Sequence, residues 1–99
     1  MSQPIVTIIV SPRERFSFTQ QNLESIYEHT TIPFSLIYVD GGSPTNTQRY
    51  LEGQAQERGF QLIRTEQYLA PNQARNLAIP YAETQYLLFI DNDVVVSPG

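Results

Sequence analysis

Ile5-Val6-Thr7-Ile8-Ile9-Val10 is a run in which every side chain is β-branched. Branching at Cβ stiffens χ1 and favours the pleated backbone, and a continuous apolar run without alternation is the pattern of a strand covered on both faces. A strand covered on both faces belongs to a parallel sheet with helices above and below, so this stretch predicts an α/β domain. Ser11-Pro12-Arg13 ends the run.

Working outward, residues 18–30 place Leu23, Ile26 and Tyr27 on one helical stripe, and Thr31-Ile32-Pro33 close that helix. Residues 35–39 predict a second strand, ending in Asp40-Gly41-Gly42-Ser43, where two glycines open backbone torsions that other residues resist. Ser43-Pro44 reads as an N-cap with proline at the first helical position, leading a helix to about Arg58 that Gly59 stops. A third strand is expected over 60–64, then a loop, then a helix from about Gln73 to Ala82. The alternation of strand and helix with right-handed crossovers predicts a doubly wound, Rossmann-like, mainly parallel sheet of about four strands with flanking helices, in a single domain over 1–99.

The fourth strand is Tyr86-Leu87-Leu88-Phe89-Ile90, which runs straight into Asp91-Asn92-Asp93. Residues two apart on a strand share a face, so Asp91 and Asp93 can present hard oxygens to one divalent cation and the phosphates it carries. Ser11, Asp40, Asp91 and Asp93 all fall at the C-terminal ends of strands, where open α/β sheets bind ligands at a switch in strand order. Taken singly, each motif has a plainer reading. Asp91 and Asp93 suit a strand end, Asp40-Gly41-Gly42-Ser43 suits a tight loop with a helix cap, and Arg75 suits a salt-bridged helix surface.

Composition narrows the functions available. A hydrophobic fraction of 40% in 99 residues suits one small core, and a chain of this size buries only about 60–65% of its unfolded surface. The net charge of −4 carries no basic patch, which argues against a nucleic-acid partner. Lysine is absent, and the six basic residues are arginines dispersed at positions 13, 15, 49, 58, 64 and 75, so most read as solvated surface. Without cysteine there is no disulfide framework or thiolate metal site, which fits a cytoplasmic location, and no stretch approaches a membrane span. His29 reads as a helix-end surface residue.

The order and spacing of Ile5 to Pro12, Val39-Asp40-Gly41-Gly42-Ser43, Ala74-Arg75-Asn76 and Asp91-Asn92-Asp93 resemble the nucleotide-binding half of GT-A glycosyltransferases, most closely the inverting enzymes of family 2. The resemblance spans the chain and implies a partial GT-A fold. It implies that Asp40 accepts a hydrogen bond from a uridine-type base, that Asp91 holds the ribose, and that Asp93, with Asp91, ligates Mg²⁺ or Mn²⁺ on the diphosphate. Arg75 would order the aspartates or the diphosphate, and Ser11, Gly42 and Ser43 complete the candidate nucleotide-binding set. The partner so implied is a nucleotide-sugar donor, most simply a UDP-sugar.

Two positions depart from the family pattern. Gly41 stands where a second aspartate is usual, and Ser11-Pro12-Arg13-Glu14 replaces the usual proline-x-tyrosine-asparagine run, with Arg13 read as solvent-facing. The general base of an inverting transferase is expected beyond Gly99, so no catalytic residue is nominated. The chain is expected to be a piece of a larger enzyme, with membrane association of that parent left open, and to carry an exposed edge that invites self-association. Two alternatives stand beside this reading: a phosphatase resembling the haloacid dehalogenases, with Asp91 as nucleophile and Asp93 as general acid, and a nucleotide-binding module without catalysis.

Overall fold

The computed structural model describes residues 3–12, 18–92 and 94–96. Its elements are β1 (Val6–Ser11), α1 (Thr19–His29), β2 (Phe34–Gly41), α2 (Thr45–Arg58), β3 (Gln61–Thr65), α3 (Pro71–Ala78), a 3₁₀ turn (Ile79–Tyr81) and β4 (Tyr86–Asp91). The four strands form one sheet in the order β3-β2-β1-β4, every pair parallel. This is the expected doubly wound α/β layer.

β1 is buried along its whole length because it lies between β2 and β4 and under helices on both faces. On one face Ile8 and Val10 pack with Leu36 and Tyr38 of β2, Leu23 and Ile26 of α1, and Leu51 of α2. On the other, Ile9, Ile37 and Val39 pack against Ala74 and Ala78 of α3. The two small alanines let α3 lie close to the sheet. The chain winds outward from β1 to β3 with helices on the first face, then returns across the sheet through α3 to place β4 beside β1. The strand order therefore reverses between β1 and β4.

The run Tyr86 to Ile90 looks like the β1 run in sequence but occupies a different environment. Among the described residues β4 pairs with β1 alone, which leaves Tyr86 58% and Leu88 48% exposed, with Leu87 and Phe89 also open to solvent.

Helix boundaries shift for local reasons. α2 starts at Thr45 with Pro44 as the extended residue before it, one position later than expected. Ser43 does not cap the helix, because its hydroxyl donates to Asp40 Oδ2 at 2.6 Å. Gly59 ends α2 in the left-handed conformation (φ 79°), donating its N–H to Ala55 O, as expected of a glycine stop. α3 begins at Pro71, where a missing N–H costs nothing, and the Gln73 side chain accepts the Ala70 N–H at 3.0 Å. It gives way at Ile79-Pro80 to the 3₁₀ turn, earlier than the predicted end at Ala82.

Candidate functional site

The C-terminal edge of the sheet collects Ser11 from β1, Asp40 and Gly41 from β2, Arg64 from β3 and Asp91 from β4. Ser11 and Asp91 are register partners at the point where strand order reverses, and Asn92 N donates to Ser11 O at 2.9 Å, continuing the ladder one residue beyond β4. Ser11 is fully buried, and its hydroxyl has no hydrogen-bond partner among the described residues. Alternation along the strands sends Asp40, which follows Tyr38 on the α1/α2 face, to the opposite face from Asp91, which follows Phe89 on the α3 face. The two carboxylates share one edge of the sheet but flank it from either side.

Asp40 is committed within the protein. Its Oδ1 accepts the Ser43 N–H at 3.1 Å, and its Oδ2 accepts the Ser43 hydroxyl and Arg64 Nη1, each at 2.6 Å. The side chain is 1% exposed. Arg64 also reaches Ser43, donating to its hydroxyl at 3.2 Å and its carbonyl at 3.3 Å. In this arrangement Asp40 shapes the loop after β2. Arg64, one of six dispersed arginines of which most read as solvated surface, is its counter-ion. The signal available was position: Arg64 ends a short apolar strand, which places it at the same edge as Asp40.

The two glycines have distinct duties. Gly42 adopts φ 77°, donates its N–H to Thr65 O at 2.9 Å, and has Glu66 O at 3.1 Å from where a Cβ would stand. A Cβ on Gly41 would meet the backbone nitrogen of Leu69 at 2.9 Å and Pro12 at 3.2 Å. The loop after β3 thus crosses directly over Gly41. This accounts physically for glycine at a position where the family usually has aspartate.

Arg75 lies on α3 with its guanidinium 5.0 Å from the centre of the Phe89 ring, over the same face of β4 that carries Asp91. Its Nε is buried without a hydrogen-bond partner among the described residues. Its contact among the described residues is with that aromatic ring.

The residue the sequence reading passed over is Asn22. It is fully buried on α1, donates from Nδ2 to Asp91 O at 3.3 Å and Val94 O at 2.5 Å, and accepts the Tyr38 hydroxyl on Oδ1 at 2.9 Å. Ser25 accepts the Val96 N–H at 2.9 Å. Thr19, Asn22, Leu23 and Ile26 form one buried stripe, and a polar residue at i, i+4 from Ile26 was the available clue.

Asp93 and Arg13 lie outside the described residues. Among the described residues no group of three or more His, Cys, Asp or Glu side chains is placed to hold a metal ion. The donor set still suits Mg²⁺ or Mn²⁺, which commonly take one or two carboxylates and complete their shell with substrate phosphates and water. A cleft of about 410 Å³ opens at the other end of the strands, lined by Tyr27, Phe34, Arg58, Phe60 and Tyr81 among others, and holds none of these residues.

A parallel sheet whose strand order reverses beside a carboxylate-bearing edge defines a doubly wound α/β domain, with that edge at the position where such sheets bind ligands. The glycosyl transferase family 2 model matches residues 7–99, and the chain belongs to that family. The chain is similar to the teichoic acid poly(glycerol phosphate) polymerase of Staphylococcus epidermidis, 29% identical over 90 residues, covering 89% of this chain and 12% of that protein. Among solved structures it is similar to S. aureus TarS 1–349 in complex with UDP, 25% identical with a TM-score of 0.73, covering 89% of this chain and 27% of that one. TarS 1–349 has also been solved with UDP-GlcNAc. The mannosyltransferase PcManGT of Pyrobaculum calidifontis, solved with GDP-Man and Mn²⁺, shares the fold at 23% identity and a TM-score of 0.77, over 95% of this chain and 29% of that one. The chain thus spans a small part of the relatives it matches. The family match takes the place of the phosphatase alternative. No helix among the described residues is long and apolar enough to cross a membrane.

Proposed function

We propose that this chain forms the donor side of a glycosyltransferase active site, binding the nucleotide diphosphate of a sugar donor at the crevice between β1 and β4. The observation that carries the reading is the pairing of Ser11 with Asp91 where strand order reverses, with Asp93 two residues on. Membership of the family and the likeness to TarS with UDP support uridine diphosphate as the nucleotide.

In this reading Asp91 and Asp93 hold Mg²⁺ or Mn²⁺ and the ribose-diphosphate between them. The bound cation supplies charge for the diphosphate that leaves as the sugar bond breaks. Arg75 adds a second positive charge on the α3 side of β4, held in place by the Phe89 ring. Asp40, buried and bonded through both oxygens, acts by fixing the Gly41-Gly42-Ser43 loop as a wall for the base, and its Oδ1, with one bond accepted, keeps capacity for a base N–H. Sugar transfer with inversion, by a base supplied outside this chain, completes the proposal, and we place the enzyme in the cytoplasm. Calorimetric titration of UDP with and without Mn²⁺ tests it.

A further inference from the structure

A fully buried asparagine on a helix calls for a reason, because an interior amide costs stability unless its donors and acceptor are satisfied. Asn22 is satisfied, and its partners are specific. Tyr38 can only donate to it if the side-chain oxygen faces β2, which turns the amide nitrogen toward Asp91 O and Val94 O. The opposite orientation would set an oxygen against two carbonyl oxygens, so the network fixes the amide.

Those two carbonyls lie at the end of β4 and just beyond it. Val94 N donates to Asp91 O at 3.1 Å, tying the end of β4 to position 94, and Asn22 holds both carbonyls from below. One helical turn along α1, Ser25 donates to Asn22 O at 2.8 Å while accepting the Val96 N–H. Two polar side chains of one buried helical face therefore hold the backbone at 91, 94 and 96. A leucine at position 22 would leave Val94 O without its side-chain donor and Asp91 O with the Val94 N–H in place of two donors.

We propose that Asn22, oriented by the Tyr38 hydroxyl, is a positioning residue for metal and diphosphate binding, holding the backbone at Asp91 and Val94 where the end of β4 presents Asp91 to the crevice. The inference rests on the donor-site reading above. It also ties the two halves of the edge together, since Tyr38 stands two residues before Asp40 on the same face of β2.

The test compares Asn22→Ala and Tyr38→Phe with Leu23→Ala, a core truncation on the same helix that touches none of these bonds. Mn²⁺-dependent UDP affinity is measured by calorimetry at a temperature where each variant is folded, together with amide hydrogen exchange. Asn22→Ala is expected to lose about tenfold in affinity, as for other residues that orient metal ligands, and Tyr38→Phe to lose less. The Val94 and Asn92 amides are expected to exchange faster in Asn22→Ala, while the Val39 amide does not. Leu23→Ala is expected to melt earlier with affinity unchanged. Equal affinity in Asn22→Ala and wild type, or equal losses in Asn22→Ala and Leu23→Ala, overturns the inference alone. A wild-type chain that binds no UDP with Mn²⁺ contradicts the proposed function and removes the inference with it.

Discussion

Arg64 and Asp40 are register partners on β3 and β2, and the guanidinium meets the carboxylate at 2.6 Å with Ser43 completing the cluster. The carboxylate is almost wholly buried, whereas the arginine keeps 18% of its side chain exposed. Removing the arginine strands a buried charge. Arg64→Ala is expected to destabilise the chain by about 1–3 kcal/mol, below the full cost of breaking a fully buried pair because water can partly replace the cation. Urea unfolding measures it, and an unchanged midpoint would show that the pair does not hold the loop.

Gly41 supplies a steric prediction. A methyl group there meets the Leu69 backbone, which cannot yield as the tip of a side chain would. Gly41→Ala should cost about 1–3 kcal/mol, and Gly41→Asp, which restores the family's usual residue, at least as much. Gly53 is the control: it lies within α2 with nothing near its absent Cβ, so Gly53→Ala should gain about 0.5–1 kcal/mol. Thermal midpoints moving in the same direction for both would refute the close approach.

Alkaline stability follows from Tyr38. Burial, first of all, raises its phenol above the ordinary 10.0, with the Asp40 charge acting in the same direction. A group whose proton is held more tightly in the folded state contributes stability that is fully present below its unfolded pKa and is lost as pH rises past it. Unfolding free energy should therefore be level up to about pH 10 and fall above it. Tyr38→Phe should flatten that fall, though not abolish it, since burial also raises Tyr27 and Tyr50. An identical slope in the variant would contradict the assignment.

The open edge of β4 predicts association. Tyr86, Leu87, Leu88 and Phe89 form an apolar ribbon along a strand with one unpaired side, the arrangement that recruits a further strand. Sedimentation of this chain should show mass rising with concentration, and Leu88→Lys should suppress the rise. A monomer throughout the micromolar range in both would argue that the ribbon is inert.

The layered fold was legible because it rests on patterns that one strand carries by itself. The β-branched run at residues 5–10 encodes a two-faced strand, and Gly59 encodes a left-handed stop. What was not legible depends on strand order. The run at 86–90 has much the same apolar character as the first, and periodicity does not say which of the two lies between β2 and its neighbour in the order β3-β2-β1-β4. Arg64 and Asn22 escaped for a related reason: each looks like surface in its own segment, and only the register of β3 on β2, or the packing of α1 beneath β4, reveals the buried partner. Asp40 and Asp91 were placed on the right edge, but their opposite faces follow from strand register.

The most direct measurement is the Mn²⁺ dependence of UDP binding to wild type and to Asp93→Ala. The account expects UDP to bind wild type only with Mn²⁺ present, with affinity falling at least about tenfold when Asp93 is removed. Binding indifferent to both the cation and Asp93, or absent in every condition, would contradict it.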